Sequence, residues 1–280
     1  MRATSHYIQC AGRELHYMDW GAGNPRTVIA WHGLARTGRD MDELAEYLSA
    51  PERGYRVICP DTVGRGLSQW SPDPRSDYCL SAYERLAIAL VDGLGLQRFH
   101  WVGTSMGGAI GMVAAAHGLR GRIERLVLND MGPQIAASAL ERIRAYAGNP
   151  ASFATVSELE QYFRTVYKPY GFLTDAQWRR LTETSTRRLP DGRVTPHYDP
   201  AMVQQFVHHP QDHERWADYD SLTLPVLCLR GADSDLLEAE TAAQMAVRGP
   251  RARVVTIQGC GHAPALNVPE QLSLLAEFLG

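Results

Sequence analysis

The period of hydrophobic and polar positions changes several times along this chain, and each change marks an element. Residues 6–10 and 13–20 alternate polar and apolar positions around Ala11-Gly12, the period-two pattern of two strands joined by a tight turn. Residues 27–31 (TVIAW) and 55–60 (YRVICP) form nearly unbroken apolar runs, as expected for strands buried on both faces of a sheet. Further runs of that kind cover 98–104, 123–128, 225–230 and 253–257. Between them, 40–48, 81–94, 106–117, 238–246 and 269–279 carry helical spacing, with Pro269 suited to a first helical turn. Strands alternating with helices through short connections predict a mostly parallel, doubly wound α/β sheet with helices on both faces.

The alternation stops between 132 and 219. Helical patterns occupy 138–147, 157–167, 174–188 and 200–208, and no convincing buried strand falls among them. The expected organisation is therefore a core of residues 1–131 and 220–280 interrupted by a helical cap, 132–219. A segment inserted at the C-terminal ends of sheet strands lies over the edge where such sheets bind ligands, so this one is a candidate lid and the expected source of substrate-binding groups. Its aromatics, Phe153, Tyr162, Phe163, Tyr167, Tyr170, Phe172, Trp178 and Tyr198, either line a pocket or pack the lid.

Composition narrows the partners. A length of 280 residues fits one α/β core with an insertion, and 45% hydrophobic with 21% charged residues is ordinary globular usage. The 28 basic and 31 acidic residues nearly cancel, to a net charge of −3, which argues against a dedicated binder of nucleic acid. Cys10, Cys59, Cys79, Cys228 and Cys260 are scattered, odd in number and mostly in apolar surroundings, so they read as reduced core residues. No cysteine or histidine spacing matches a zinc site, and His208, His209 and His213 read as a solvated lid edge; no metal or cofactor is expected. No window approaches the roughly 18 apolar residues of a membrane span, and residues 1–12 lack the apolar stretch of a secretion signal. The expectation is a cytoplasmic protein whose partner is a small-molecule substrate, with oligomeric state left open.

The chemistry concentrates at one turn. Gly103-Thr104-Ser105-Met106-Gly107 joins the apolar run 98–104 to a helix of small residues. Glycines on either side of the serine permit a backbone reversal too tight for side chains, leaving Ser105 strained at its tip and at the N-terminus of a helix, where amides and dipole favour negative charge. A serine hydroxyl becomes a nucleophile only beside a base, and an imidazole base needs a carboxylate to fix its tautomer. Loops following sheet strands converge on one edge. Those carrying Ser105, Asp235 and His262 follow in the order serine, acid, histidine that accompanies such an elbow. Asp233, in the same loop as Asp235, and Asp130, after the run 123–128, are the alternative acids.

With His32-Gly33, Asp61-x-x-Gly64-x-Gly66-x-Ser68, Gly103-x-Ser105-x-Gly107, Gly231-x-x-Ser234-Asp235 and Gly261-His262, the chain resembles the α/β-hydrolase fold superfamily over essentially its whole length. The resemblance implies Ser105 as nucleophile, His262 as general base and later acid, Asp235 as the orienting acid, and the amides of Leu34 and Met106 as the oxyanion hole. It implies for His32 a role in shaping the oxyanion turn. Branches of the superfamily with an aspartate nucleophile, the haloalkane dehalogenases and epoxide hydrolases, are disfavoured by Ser105 and by the missing proline after Leu34. Ala263 stands where carbon–carbon bond hydrolases usually carry tryptophan. The expected activity is cleavage of a carboxylic ester, with thioesters and lactones as neighbours, through an acyl-enzyme on Ser105. The rivals are carbon–carbon bond hydrolysis, a cofactor-independent oxygenase or lyase using His262 as base, and a non-catalytic ligand receptor.

Overall fold

A computed structural model describes residues 3–280; Met1 and Arg2, the first two residues of the expected core, lie outside the described residues. Strands β1 (Thr4–Cys10) and β2 (Arg13–Trp20) pair antiparallel with Cys10 opposite Arg13. Ala11 and Gly12 between them have φ of 47° and 82°, the two left-handed residues that match a hairpin turn to the twist of its strands. Then come β3 (Arg26–Trp31), α1 (Asp42–Ser49), β4 (Tyr55–Pro60), α2 (Pro74–Asp77), α3 (Leu80–Gly93), β5 (Phe99–Thr104), α4 (Met106–Ala116) and β6 (Ile123–Asn129). The inserted stretch holds α5 (Ala137–Ala147), α6 (Val156–Val166), α7 (Asp175–Thr184), β7 (Thr186–Arg188), β8 (Val194–Pro196), α8 (Gln205–His208) and α9 (Trp216–Asp220). β9 (Val226–Gly231), α10 (Ala239–Met245), β10 (Arg253–Ile257) and α11 (Pro269–Leu279) complete the chain.

Eight strands form one sheet in the order β1-β2-β4-β3-β5-β6-β9-β10, parallel from β4 to β10, with β2 antiparallel to β4. The apolar runs are explained by burial on both faces. Ile29 and Trp31 point into the cluster containing α3 and α4, while Val28 and Ala30 point into that of α1 and α11. The indoles of Trp31 and Trp101, from adjacent strands, stack with centroids 5.2 Å apart. The five cysteines are buried and unpaired. Among the described residues, no helix is long and apolar enough to cross a membrane.

The inserted stretch has its own apolar cluster, in which Leu159, Phe163, Trp178, Leu181 and Val194 are buried together. Thr155 with Glu158, and Thr174 with Gln177, form capping boxes that fix where α6 and α7 begin. The helix expected over 174–188 stops at Thr184, and Thr186–Arg188 pairs with β8 as a short hairpin. Pro190 disfavours helical geometry at Leu189, and Pro190-Asp191-Gly192 supplies turn chemistry that a helix-period reading overlooks. Backbone hydrogen bonds stitch this stretch to core loops, among them Gly66 N–H to His197 O (3.1 Å), Asp199 N–H to Gly64 O (2.7 Å) and Gly261 N–H to Pro169 O (2.7 Å).

Candidate active site

Ser105 sits between β5 and α4 with φ 52° and ψ −119°, a left-handed conformation that an L-residue adopts only when its surroundings enforce it. The enforcement is visible in the glycines. A Cβ on Gly103 would lie 2.2 Å from the Gly107 carbonyl oxygen, and a Cβ on Gly107 would lie 2.2 Å from that of Trp31. The elbow thus presses α4 against β3 and β5 with no room for a methyl group. The same turn aims the N-terminus of α4, with its unpaired amides, toward the serine hydroxyl.

The structure brings Ser105, His262 and Asp130 into one hydrogen-bonded line. Ser105 Oγ is 2.8 Å from His262 Nε2, and His262 Nδ1 is 2.7 Å from Asp130 Oδ2. With the carboxylate accepting from Nδ1–H, Nε2 is left as the acceptor for the serine proton. Asp130 is fully buried and also has positive φ, 53°. Its Oδ1 accepts from the Gly231 amide (2.8 Å), and its Oδ2 also accepts from the Ser234 hydroxyl (2.6 Å).

The expected pairing of Asp235 with His262 is corrected by this geometry. Asp235 lies on the outer side of the loop after β9, half-exposed, with its carboxylate forked onto Arg142 of α5 at 2.7 and 2.9 Å. The reason is topological. β6 is the immediate neighbour of both β5 and β9, so a residue leaving β6 is already beside the serine, as the Ser105 N–H to Asn129 O bond (2.9 Å) shows. The loop after β9 supplies Gly231 and Ser234 as supports for the Asp130 carboxylate. Asp233, the third alternative, only donates its backbone amide to the Cys260 carbonyl at 2.9 Å.

Leu34 and Met106 border the space at Ser105, and neither backbone amide has a hydrogen-bond partner among the described residues. The loop carrying Leu34 is held from beneath. His32 Nδ1–H donates to the Gly33 carbonyl at 2.6 Å, and its Nε2 accepts from the Thr62 amide at 2.9 Å. Complete burial disfavours the charged imidazole and lowers its pKa to about 4, so His32 stays a neutral strut. Asp61 is buried too. Desolvation pushes its pKa up, but hydrogen bonding from His16 and the Leu67 amide outweighs this, and the carboxylate is held below its usual range. A Cβ on Gly66 would strike Asp61 Oδ2 at 2.3 Å, which accounts for a glycine in that loop.

Two arginines that motif reading passed over belong to this site. Arg65 is fully buried; its Nε donates to the Leu34 carbonyl (2.8 Å), its Nη1 to the Val63 carbonyl and the Tyr83 hydroxyl, and its Nη2 lies 3.6 Å from Met106 Sδ. Arg36 is 3% exposed, forked onto Asp40 at 2.6 and 2.7 Å. Arg36 stands between Ala35 and Thr37 and Arg65 between Gly64 and Gly66, in the loops after β3 and β4, and neither pattern marks a basic residue as buried.

Two spaces open from Ser105. The larger, about 250 Å³, is bordered by His262, Ala263, Arg36, Arg142 and the tyrosines Tyr146, Tyr162, Tyr167, Tyr170 and Tyr198. The smaller, about 50 Å³, lies on the Met106 side between apolar groups that include Leu80, Met131, Ile135 and Phe206. Of the aromatics of the inserted stretch, Tyr146, Tyr162, Tyr167, Tyr170 and Tyr198 border the larger space, whereas Phe163 and Trp178 pack internally and Phe172 is exposed. His213 packs on Phe206, and burial lowers its pKa. Among the described residues, no group of three or more histidine, cysteine or acidic side chains is placed to hold a metal.

An elbow serine, a histidine after the last strand and a carboxylate after β6, on an eight-stranded sheet of this order, define a class. The chain belongs to the alpha/beta hydrolase family, whose model matches residues 28–273, and it is a hydrolase. It is 38% identical to the 3-hydroxybutyrate-oligomer hydrolase of Cupriavidus necator, over 97% of this chain and 96% of that protein. It is 28% identical to a 2-hydroxy-6-oxononadienedioate/2-hydroxy-6-oxononatrienedioate hydrolase of Paraburkholderia phymatum, over 99% of this chain and 96% of the relative. The crystal structure of an alpha/beta hydrolase from Novosphingobium aromaticivorans superposes with a TM-score of 0.86 at 33% identity, covering 99% of this chain and 98% of the other.

Proposed function

We propose that this protein is a serine esterase that forms an acyl-enzyme on Ser105, with His262 as base and acid and Asp130 as the orienting carboxylate. The observation that carries the reading is the unbroken line from Ser105 Oγ to His262 to Asp130, at 2.8 and 2.7 Å. As Ser105 Oγ attacks the ester carbonyl, its proton passes to His262 Nε2. The carbonyl oxygen becomes an oxyanion held by the amides of Leu34 and Met106 at the N-terminus of α4. His262 then gives that proton to the leaving alcohol, and a water activated by the same imidazole hydrolyses the acyl-enzyme, returning the serine and releasing the acid. Residues 132–219 serve as the lid over this chemistry and supply all five tyrosines of the larger space. The relative named for 3-hydroxybutyrate oligomers supports linear hydroxy-acid esters as substrates, since its identity to this chain spans nearly the full length of both.

The test combines labelling with turnover. The wild-type protein is expected to hydrolyse p-nitrophenyl butyrate and the linear dimer of 3-hydroxybutyrate, and to take up a fluorophosphonate at Ser105. Ser105→Ala is expected to lose labelling and at least about 10⁴-fold in kcat while unfolding at the same denaturant concentration. Turnover that survives in Ser105→Ala would remove the acyl-enzyme.

A further inference from the structure

We propose that the larger space beside Ser105 is a carboxylate site, with Arg36 as its principal binding group and Arg142 as its second, and that it receives the alcohol portion of the ester. The substrate class is then an ester of a hydroxy acid whose own carboxylate is free. This rests on the serine-esterase reading and adds to it which end of the substrate carries charge.

The lining chemistry points to an anion. Arg36 and Arg142 border the space, and no aspartate or glutamate does. Their partners stand behind them: Asp40 for Arg36 and Asp235 for Arg142, neither of them in the lining. In each pair it is the arginine, not the carboxylate, that borders this cavity. Desolvation opposes the charge on Arg36, but the Asp40 carboxylate beside it counters this, and its pKa is held well above the usual value. A neutral substrate would gain little from such walls, whereas a carboxylate there meets guanidinium donors, with which it forms charge-assisted hydrogen bonds.

Arg36 also has a donor to spare. Its Nε and Nη2 are taken by Asp40, and Nη2 donates as well to the Ser185 hydroxyl at 2.9 Å. One face of the guanidinium lies against the ring of Tyr167, 4.6 Å from its centroid. What remains is Nη1, buried and without a hydrogen-bond partner among the described residues. A buried donor left empty carries a penalty that a bound acceptor removes. Around it, none of the hydroxyls of the five lining tyrosines hydrogen-bonds to another group among the described residues. Burial raises the pKa of Tyr146, Tyr162, Tyr170 and Tyr198, so these phenols remain O–H donors at neutral pH.

The position of the histidine decides which half of the ester enters. His262 must hand its proton to the departing alcohol oxygen, so that oxygen and what it carries lie on the imidazole side of Ser105. The larger space includes His262; the smaller one lies on the Met106 side and is mostly apolar, and Leu34 borders both. A short acyl chain fits the latter, and the charged alcohol portion fits the former.

The experiment compares 3-butyryloxybutanoate with its methyl ester, two substrates of nearly the same shape that share the butyryl ester bond, by kcat/KM of the wild-type protein for release of butyrate. The free acid is expected to be preferred by about tenfold or more, the effect of one to two charge-assisted hydrogen bonds. Arg36→Gln is expected to bring the ratio close to one, chiefly through a higher KM for the acid. Arg142→Gln, at a half-exposed position that folding tolerates, is expected to reduce the ratio by about threefold. A wild-type protein that cleaves the methyl ester as well as the acid, or a ratio that neither variant changes, overturns the carboxylate site. That result is distinct from failure of the esterase reading, which would appear as no fluorophosphonate labelling and no turnover of either ester.

Discussion

Replacing Asp130 with asparagine isolates the group on which the geometry and the motif order disagree. In the native site Oδ1 of Asp130 accepts from the Gly231 amide, and Oδ2 accepts from both His262 and Ser234. An asparagine that keeps the Gly231 bond must place its NH₂ where Oδ2 was, facing two donors. Ser234 can turn its hydroxyl away. His262 can relieve the conflict only by moving its proton from Nδ1 to Nε2, and the nitrogen facing Ser105 then ceases to be a base. The expected loss is about 10⁴ in kcat, or about 5 kcal/mol of transition-state stabilisation. Asp235→Asn removes a half-exposed pair with Arg142, an interaction of the kind worth about 1 kcal/mol or less, and should cost less than about tenfold. Both are read by steady-state hydrolysis of p-nitrophenyl butyrate, with urea unfolding to show that each variant is native. The reasoning is refuted if Asp235→Asn is the crippled protein, or if Asp130→Asn retains more than about a tenth of wild-type kcat.

Two further outcomes follow from the supports of the site. Because burial lowers the pKa of His32 from 6.5 to about 4, the unfolded chain takes up a proton between those pH values that the native protein refuses. The His32 contribution to stability is therefore complete above about pH 6.5 and lost as pH falls toward 4, by about 3 kcal/mol in all. Urea unfolding at pH 7.5 and 4.5 should show a smaller acid loss in His32→Asn than in the wild type; equal losses would refute the assignment. Gly107→Ala forces a methyl group to 2.2 Å from the Trp31 carbonyl oxygen, where a sheet strand must move, and should lower stability by more than about 3 kcal/mol. A thermal midpoint within about 2 °C of wild type would show that the elbow has more room than these contacts allow.

The parallel sheet was legible because its strands are buried on both faces and so are apolar at nearly every position, while α4 and α11 carry helical patterns with clear starts. Ser105 and His262 were legible for a related reason: each needs local backbone geometry, and glycines beside them record it. The acid was not. Asp130 and Asp235 both follow strands, and the choice between them depends on which strand is the neighbour of β5, a property of sheet order that no local pattern encodes. Asp130 holds its left-handed φ without a glycine to announce it. Arg36 and Arg65 escaped for the opposite reason, since a basic residue in a loop ordinarily signifies exposure, and only packing shows that these two are inside. In the inserted stretch, β7 and β8 are too short for a period of two to emerge, although the Pro190-Asp191-Gly192 turn between them was there to be read.

Arg65 deserves to be followed beyond the loop it steadies. It is completely buried, forms no ion pair among the described residues, and is surrounded by carbonyl oxygens and the faces of Tyr78 and Tyr83. Mobile ions do not reach a guanidinium that is sealed from solvent. Its hold on the Leu34 carbonyl and its contact with Met106 place the guanidinium against both residues whose amides border the space at Ser105. Whatever negative charge forms above Ser105 therefore does so in a positive field that the salt of the medium screens far less than it would a charge at the surface.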